Sequence, residues 1–278
     1  TIKDVASQNN LIMKKGLQDN DGDKKDSSNL VGRKILDSEE ALDHFYLNES
    51  AYTIFNKDKI HRPRNPEIYK APYVLFKKGL DCADYSIRAV YTESDFLYRE
   101  TINCIKGSEK DKKTLLNLCG LLNSSLFSYF NLMLGSSTGI EREQIFLEEL
   151  GNYPYVYNDE LVELVEKMQR EEWGKNRNEL QVALNQCVMR MYGLQDNYFV
   201  DYALSIQIPM LCGTYQETKC DAKTMKKYVS ILSKIWDEHF GQSNVHYKIT
   251  IYPDIKGKFA AVQVKLSFTS QIEDIFVI

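Results

Sequence analysis

Leu115–Pro154, LLNLCGLLNSSLFSYFNLMLGSSTGIEREQIFLEELGNYP, decides how the rest of the chain is read. Ser108 or Asp111 is placed to cap a helix that runs to about Leu134, where Gly135 offers a stop. Leu115, Leu116, Leu118, Leu121, Leu122, Leu126, Phe127, Phe130 and Met133 cover more than one face of that helix, so it is expected at the centre, bracing a sheet. Asn123, Ser124 and Ser125 inside it need hydrogen-bond partners, either preceding carbonyls or a neighbouring strand. A polar turn, Ser136-Ser137-Thr138-Gly139, follows. A second helix is expected from about Arg142 to Leu150, ended by Gly151 and Pro154.

Upstream, from Val31 to Gly107, short apolar runs alternate with Gly, Pro, Asn and Asp. TIF, YVLF, YSIRAVY and TINCI are rich in β-branched and aromatic residues and read as strands. Asp37–Leu42 reads as a short helix capped by Asp37 or Ser38. Residues 1 to about 30 are polar and carry DNDGDKKDSSN, the texture of a mobile loop or an ordered edge insertion. Asp19, Asp21 and Asp23 have the spacing of a calcium loop, but Lys24 and Leu30 stand where the turn glycine and the bidentate glutamate belong.

Downstream, Asn158 or Asp159 caps a helix striped by Leu161, Leu164, Val165 and Met168. Another helix carries Leu180, Leu184, Cys187, Val188 and Met191 and ends at Gly193. These read as a pair of spacer helices, although the stripes fit ordinary core as well. Asp221 caps a helix through Phe240, ended by Gly241, and Val245–Tyr252 with Lys258–Phe268 reads as a hairpin. The expected fold class is therefore α+β: a small mixed or mainly β domain over 1–156 braced by a buried helix, a helical spacer over 157–214, and a small α+β appendage over 215–278.

With 278 residues, 43% of them hydrophobic, the chain can bury a substantial core. The stretch Leu115–Leu134 is interrupted by Asn and Ser, no membrane span is expected, and the first residues lack the layout of a signal peptide, so a cytoplasmic address is expected. Opening on Thr1 and closing in IEDIFVI, the sequence reads as an excerpt of a longer protein. Six cysteines and four histidines are scattered without zinc-type spacing, and no metal site is expected.

Net charge is −4, yet the distribution is uneven. Lys57–Lys78 holds seven basic residues against two acidic ones, and Glu141–Glu172 holds ten acidic against three basic. This suits a molecule with one face toward phosphates, although charge runs are often only solvated faces.

Catalytic signatures are missing. There is no P-loop, no G-x-S-x-G elbow and no cysteine placed at an electropositive helix start with a histidine nearby. Asn65-Pro66-Glu67-Ile68-Tyr69 begins like the Asn-Pro-Pro-aromatic loop of adenine methyltransferases, but Glu67 replaces the second proline. Pro253-Asp254 and Gln263-x-Lys265 can be written as a nuclease motif, but strand rise puts Asp254 and Gln263 roughly 16 Å apart, too far for one metal.

The pattern LLNSSLFSYF, SSTGIERE, EEL and YP resembles the closing part of the target-recognition region at the C-terminus of N6-adenine DNA methyltransferases, the TaqI-like specificity domain, and of type I and type IIG restriction-modification enzymes. The likeness covers about Val31–Val156, extends more loosely through the helices to Leu211, where Val188–Leu194 is similar to helix ends of such proteins, and leaves out 1–30 and 215–278. The resemblance implies a DNA sequence-recognition fragment that is non-catalytic by itself. Its partners would be double-stranded DNA and a methyltransferase domain or subunit, which would bind AdoMet; no cofactor is expected in this chain.

By the same resemblance, Lys59, Arg62, Arg64, Lys70, Lys77 and Lys78 are phosphate or base contacts. Several of them would serve equally to solubilise an edge strand. Arg88 and Arg99 alternate with apolar residues and project from strand faces toward a groove. Ser136, Ser137, Thr138 and Arg142 sit where backbone amides favour phosphate, or simply form a helix cap with a local ion pair. The rival readings are a protein-interaction module docking through the acidic and striped helices, and a nuclease subunit using 253–265.

Overall fold

β-Branched and aromatic residues crowd YVLFK and INCIK, and these become the two inner strands of a four-stranded antiparallel sheet. The computed structural model describes residues 1–20, 22–80, 84–137, 143–170, 175–213, 222–241, 244–253 and 260–268. In chain order the strands before the long helices are β1 (Ile12–Lys15), β2 (Lys25–Asp26), β3 (Lys34–Leu36), β4 (Leu42–Asp43), β5 (Tyr46–Leu47), β6 (Tyr52–Ile54), β7 (Lys59–Ile60), β8 (Tyr73–Lys77), β9 (Ala89–Thr92), β10 (Leu97–Tyr98) and β11 (Ile102–Lys106). The main sheet runs β1-β11-β8-β9, in the register Lys15, Asn103, Phe76, Ala89 across it.

Both faces of this sheet are covered, so its inner strands are buried and mainly apolar, with Asn103 as the buried polar exception. On one face Val74, Phe76, Ala89, Tyr91 and Ile105 meet the helices. On the other, Tyr73, Leu75, Val90, Ile102 and Cys104 meet a layer of short strands ordered β10-β3-β6. Edge-on aromatic contacts among Tyr69, Tyr73, Phe96 and Tyr98 fill that second layer.

The helices are α1 (Ile2–Gln8), α2 (Lys112–Leu122), α3 (Ser125–Leu134), α4 (Leu147–Gly151), α5 (Asp159–Arg170), α6 (Lys175–Met191), α7 (Tyr198–Tyr202), α8 (Ile208–Leu211) and α9 (Ala222–Phe240). Ser108 and Asp111 form a capping box ahead of α2, as the sequence predicts. The single long helix expected over 111–134 is two helices instead. Asn123 leaves the helical path and pairs with the Ala89 backbone as an extra strand residue would, its Oδ1 accepting from the amide at 3.0 Å and its Nδ2 donating to the carbonyl at 2.8 Å. Ser124 then caps α3, accepting from the Phe127 amide. The helix expected from Arg142 begins only at Leu147, because Gln144 and Ile145 are drawn into β-type pairing with Gly79 and Lys78.

Of the two expectations for residues 1–30, a mobile loop or an ordered edge insertion, the described residues follow the second. Thr1 and Asp4 form a capping box for α1, Ile2 and Leu17 are fully buried, and β1 is an edge strand of the main sheet. The helices expected as a spacer over 157–214 are a wall of the same core: Leu161, Val165, Leu184 and Val188 pack in one cluster with Val74 and Leu118. Residues Thr1–Thr214 accordingly form one compact unit and Tyr215–Ile278 a second. Gly120 is the seat of α5 on α2, since a Cβ there would meet Leu161 and Val165 at 2.8 Å.

In the second unit, α9 packs on β12 (His246–Pro253) through Trp236 and Tyr247, whose ring centroids are 5.4 Å apart. β12 pairs antiparallel with β13 (Ala260–Ser267). The expected cap Asp221 and the hairpin-tip residue Asp254 lie outside the described residues. The protein is thus α+β, and among the described residues no helix is long and apolar enough to cross a membrane.

Candidate nucleic-acid interface

Gly16 allows three segments to meet at one end of the main sheet. A Cβ at this position would lie 2.1 Å from the Tyr98 carbonyl oxygen and 2.3 Å from that of Arg99, so only glycine fits. Its amide donates to the Ile102 carbonyl at 3.1 Å, and its carbonyl accepts from Arg64 Nε at 3.1 Å. Arg64 itself holds a left-handed backbone, φ 65°, which aims its side chain back across β1. Lys15 is thereby set beside Arg64.

Lys78 reaches the same place from the neighbouring strand. Its amide donates to Thr101 at 2.7 Å and its carbonyl accepts from the Ile145 amide at 2.8 Å. Gly79 bridges Gln144, and Ser137 closes that connection, donating to the Gln144 carbonyl at 2.7 Å and accepting from its amide at 2.9 Å. The basic stretch and the polar turn, about sixty residues apart in sequence, therefore share one edge. Ser136 donates its amide to Glu149 at 3.3 Å, while Thr138 and Arg142 lie outside the described residues.

Electrostatics mark the spot. Lys15 has its ammonium pKa held below the ordinary lysine value, first by partial burial and then by the charges of Lys78 and Arg64; Glu148 offsets this in part. Its Nζ also stands 6.0 Å from the centroid of the Phe146 ring. Like charges gathered in this way are stabilised by a counter-anion, and a phosphate is the commonest one.

A basic ribbon leads away from this cluster. Arg62 pairs backbone to backbone with Gln18, and Lys59 with Asp26, both lysine and arginine side chains being exposed. From Lys59 to Arg64 the ribbon spans roughly 16 Å at strand rise, about half a turn of duplex. Lys77 ends β8, half-buried, opposite Ile102.

The other expected contacts are tied to carboxylates. Arg99 forks onto Asp37 Oδ1 at 2.9 and 2.6 Å and lies 3.8 Å from Asp19, so it does not project toward a groove. Arg88 pairs with Asp43 at 2.9 Å, half-buried against the helix layer. Lys70 pairs with Glu67 at 2.7 Å, both side chains exposed. Asp19 is a hub for Lys24, Lys57 and Arg99; burial pushes its pKa up, but the hydrogen bonds from Lys57 and Lys24 outweigh that and hold it below the usual carboxylate range. The sequence reading missed Lys15, which sits in the segment expected to be a mobile loop or an ordered edge insertion; IMKK does not alternate in sequence, and only its burial alternates.

Among the described residues, Cys104 and Cys119 are core thiols. Burial pushes the Cys104 and Cys119 thiols up to about 12. Among the described residues, no three His, Cys, Asp or Glu side chains gather as metal ligands would. No protein-family model matches the chain, and no match was found among curated proteins.

Proposed function

We propose that this chain reads duplex DNA as the sequence-recognition portion of a restriction-modification N6-adenine methyltransferase. The observation that supports this most is the convergence of Lys15, Arg64 and Lys78 beside the polar turn, where burial first and then the charges of Lys78 and Arg64 lower the Lys15 pKa, with Glu148 opposing them. In this reading the cluster and the ribbon bearing Arg62 and Lys59 hold phosphates and fix register, while the adjoining loops face base edges. A catalytic partner, domain or subunit, supplies AdoMet binding and flips the adenine. The ion-paired Lys70, Arg88 and Arg99 are framework, not contacts.

The test is fluorescence anisotropy with a random duplex at roughly 50 and 200 mM salt. If the triple variant Lys15→Ala, Arg64→Ala, Lys78→Ala loses three phosphate contacts, the fall in affinity between those salts shrinks by roughly 40-fold relative to the parent, from a slope of about 0.9 per contact. Lys70→Ala removes a charge of the same sign outside the cluster and is expected to change little. Equal effects of all four substitutions would refute a localised site.

A further inference from the structure

A pocket of about 370 Å³, lined by polar and apolar side chains together, opens on the helix side of the main sheet. At its base, Asn123 has its amide orientation fixed. Nδ2 donates to the carbonyls of Ala89 and Cys119 at 2.8 and 2.9 Å, and Oδ1 accepts from the Ala89 amide at 3.0 Å. His44 Nδ1 lies 2.8 Å from that same Oδ1, so Nδ1 must carry the proton. Nε2 is then an acceptor, and Ser86 Oγ is 3.1 Å from it. The hydroxyl therefore donates to a neutral imidazole whose tautomer is set by a third residue.

The surroundings keep the imidazole neutral and immobile. Burial is the main cause that lowers the His44 pKa below its usual value, and Arg88 adds to it; the Asn123 hydrogen bond, Asp43 and Asp84 act the other way. Arg177 donates to the His44 carbonyl. Phe45, next to His44, and Tyr85, next to Ser86, both sit at φ 56°, a left-handed conformation that bulky residues rarely adopt. Left-handed backbone beside each member of a Ser-His pair, at the wall of a pocket, is compatible with a site held for chemistry, although Phe45 and Tyr85 are also buried in the core.

We propose that Ser86 is a nucleophile activated by His44, acting on small uncharged carboxylic esters. Asn123 is a positioning residue. Ser86 Oγ bonds to the ester carbonyl carbon while its proton passes to His44 Nε2. The carbon–oxygen bond to the alcohol then breaks, and the leaving oxygen takes that proton. Water adds to the acyl-serine with His44 again receiving a proton, releasing the acid and restoring the hydroxyl. Ser128, 5% exposed, also lines the pocket, and its hydroxyl is the donor assigned in this proposal to the oxyanion. The choice of substrate follows from the walls: Leu204 and Ile208 suit an alkyl group, among the described residues no lysine or arginine lines the pocket, and Asp84 disfavours anions.

The experiment is labelling of the full chain with a tagged fluorophosphonate, read by peptide mass spectrometry. A single adduct on Ser86 is expected, absent in Ser86→Ala and formed at least about 100-fold more slowly in His44→Gln. The labelling rate should be flat at pH 7 to 8 and fall below roughly pH 6.5 as His44 protonates. In Asn123→Ala the rate should drop, and Asn123→Asp, which keeps the acceptor, should recover part of it. No adduct on Ser86 in the folded parent chain, or labelling as fast in His44→Gln as in the parent, would overturn the proposal. Neither result depends on DNA binding.

Discussion

Gly120→Val tests how the helices are joined to the sheet domain. In α2 this glycine faces α5, and a Cβ built there would stand 2.8 Å from Leu161 Cδ1 and Val165 Cγ2. Ordinary contact between carbons needs about 3.5–4.0 Å, so α5 must retreat by roughly 1 Å or Leu161 must leave its rotamer. Overfilling a packed core costs about 1–3 kcal/mol, and three added carbons against two buried side chains put valine near the upper end. Replacing glycine within a helix returns less than about 1 kcal/mol, valine being a modest helix former. The net loss is therefore about 2–3 kcal/mol. For a unit of this size each kcal/mol lowers Tm by about 2–4 °C, which gives a fall of roughly 5–10 °C in a circular-dichroism melt. Leu161→Ala in the same chain should couple to Gly120→Val by about 1 kcal/mol or more, because it vacates the contested space. A Tm that is unchanged or higher in Gly120→Val, as propensity alone would give, refutes the seating of α5 on α2.

Other outcomes follow from single side chains. Asn117 is fully buried and holds the start of α5, donating to the Val156 carbonyl at 2.9 Å and accepting from the Asn158 amide at 3.0 Å, so Asn117→Ala should cost about 2 kcal/mol in a urea titration. Gly16→Ala should cost more than about 1 kcal/mol, since backbone carbonyls and not flexible side-chain ends oppose the new carbon; weaker duplex binding should accompany the lost stability. His44 has a folded pKa below its unfolded value of about 6.5, so its contribution is complete above that pH and is lost as pH falls through the folded value. Tm measured from pH 7.5 downward should decline from about pH 6.5, less so in His44→Gln; a Tm that rises on acidification contradicts this.

Much of the architecture is legible in the residues. YVLFK and INCIK announce strands by their β-branched and aromatic content, and Ser108 with Asp111 announces the start of α2. The break at Asn123 is visible only as a need, because a buried asparagine must find partners, while the identity of the partner, the Ala89 backbone, depends on a contact across 34 residues. Local pattern cannot supply that. β1 was hidden by the polarity around it: a four-residue edge strand with two lysines carries little apolar signal, and its pairing with β11 spans about ninety residues. The site divided similarly. A run of cations in sequence says little of which ones meet carboxylates: Glu67 and Lys70 are three residues apart, but Asp19, Asp37 and Asp43 come to Lys57, Arg99 and Arg88 only in three dimensions. Lys15, Arg64 and Lys78, which form no ion pair among the described residues, meet where Gly16 lets the segments approach, and no sequence pattern reveals that spatial role.

The slope of log K against log salt for binding to a random duplex tests the claim that this edge grips phosphate. For the parent chain the slope should be negative by about 0.9 for every phosphate held, and Lys15→Ala, Arg64→Ala and Lys78→Ala together should reduce its magnitude by about 2.7. A slope that is the same in parent and triple variant, with both chains folded, contradicts the account.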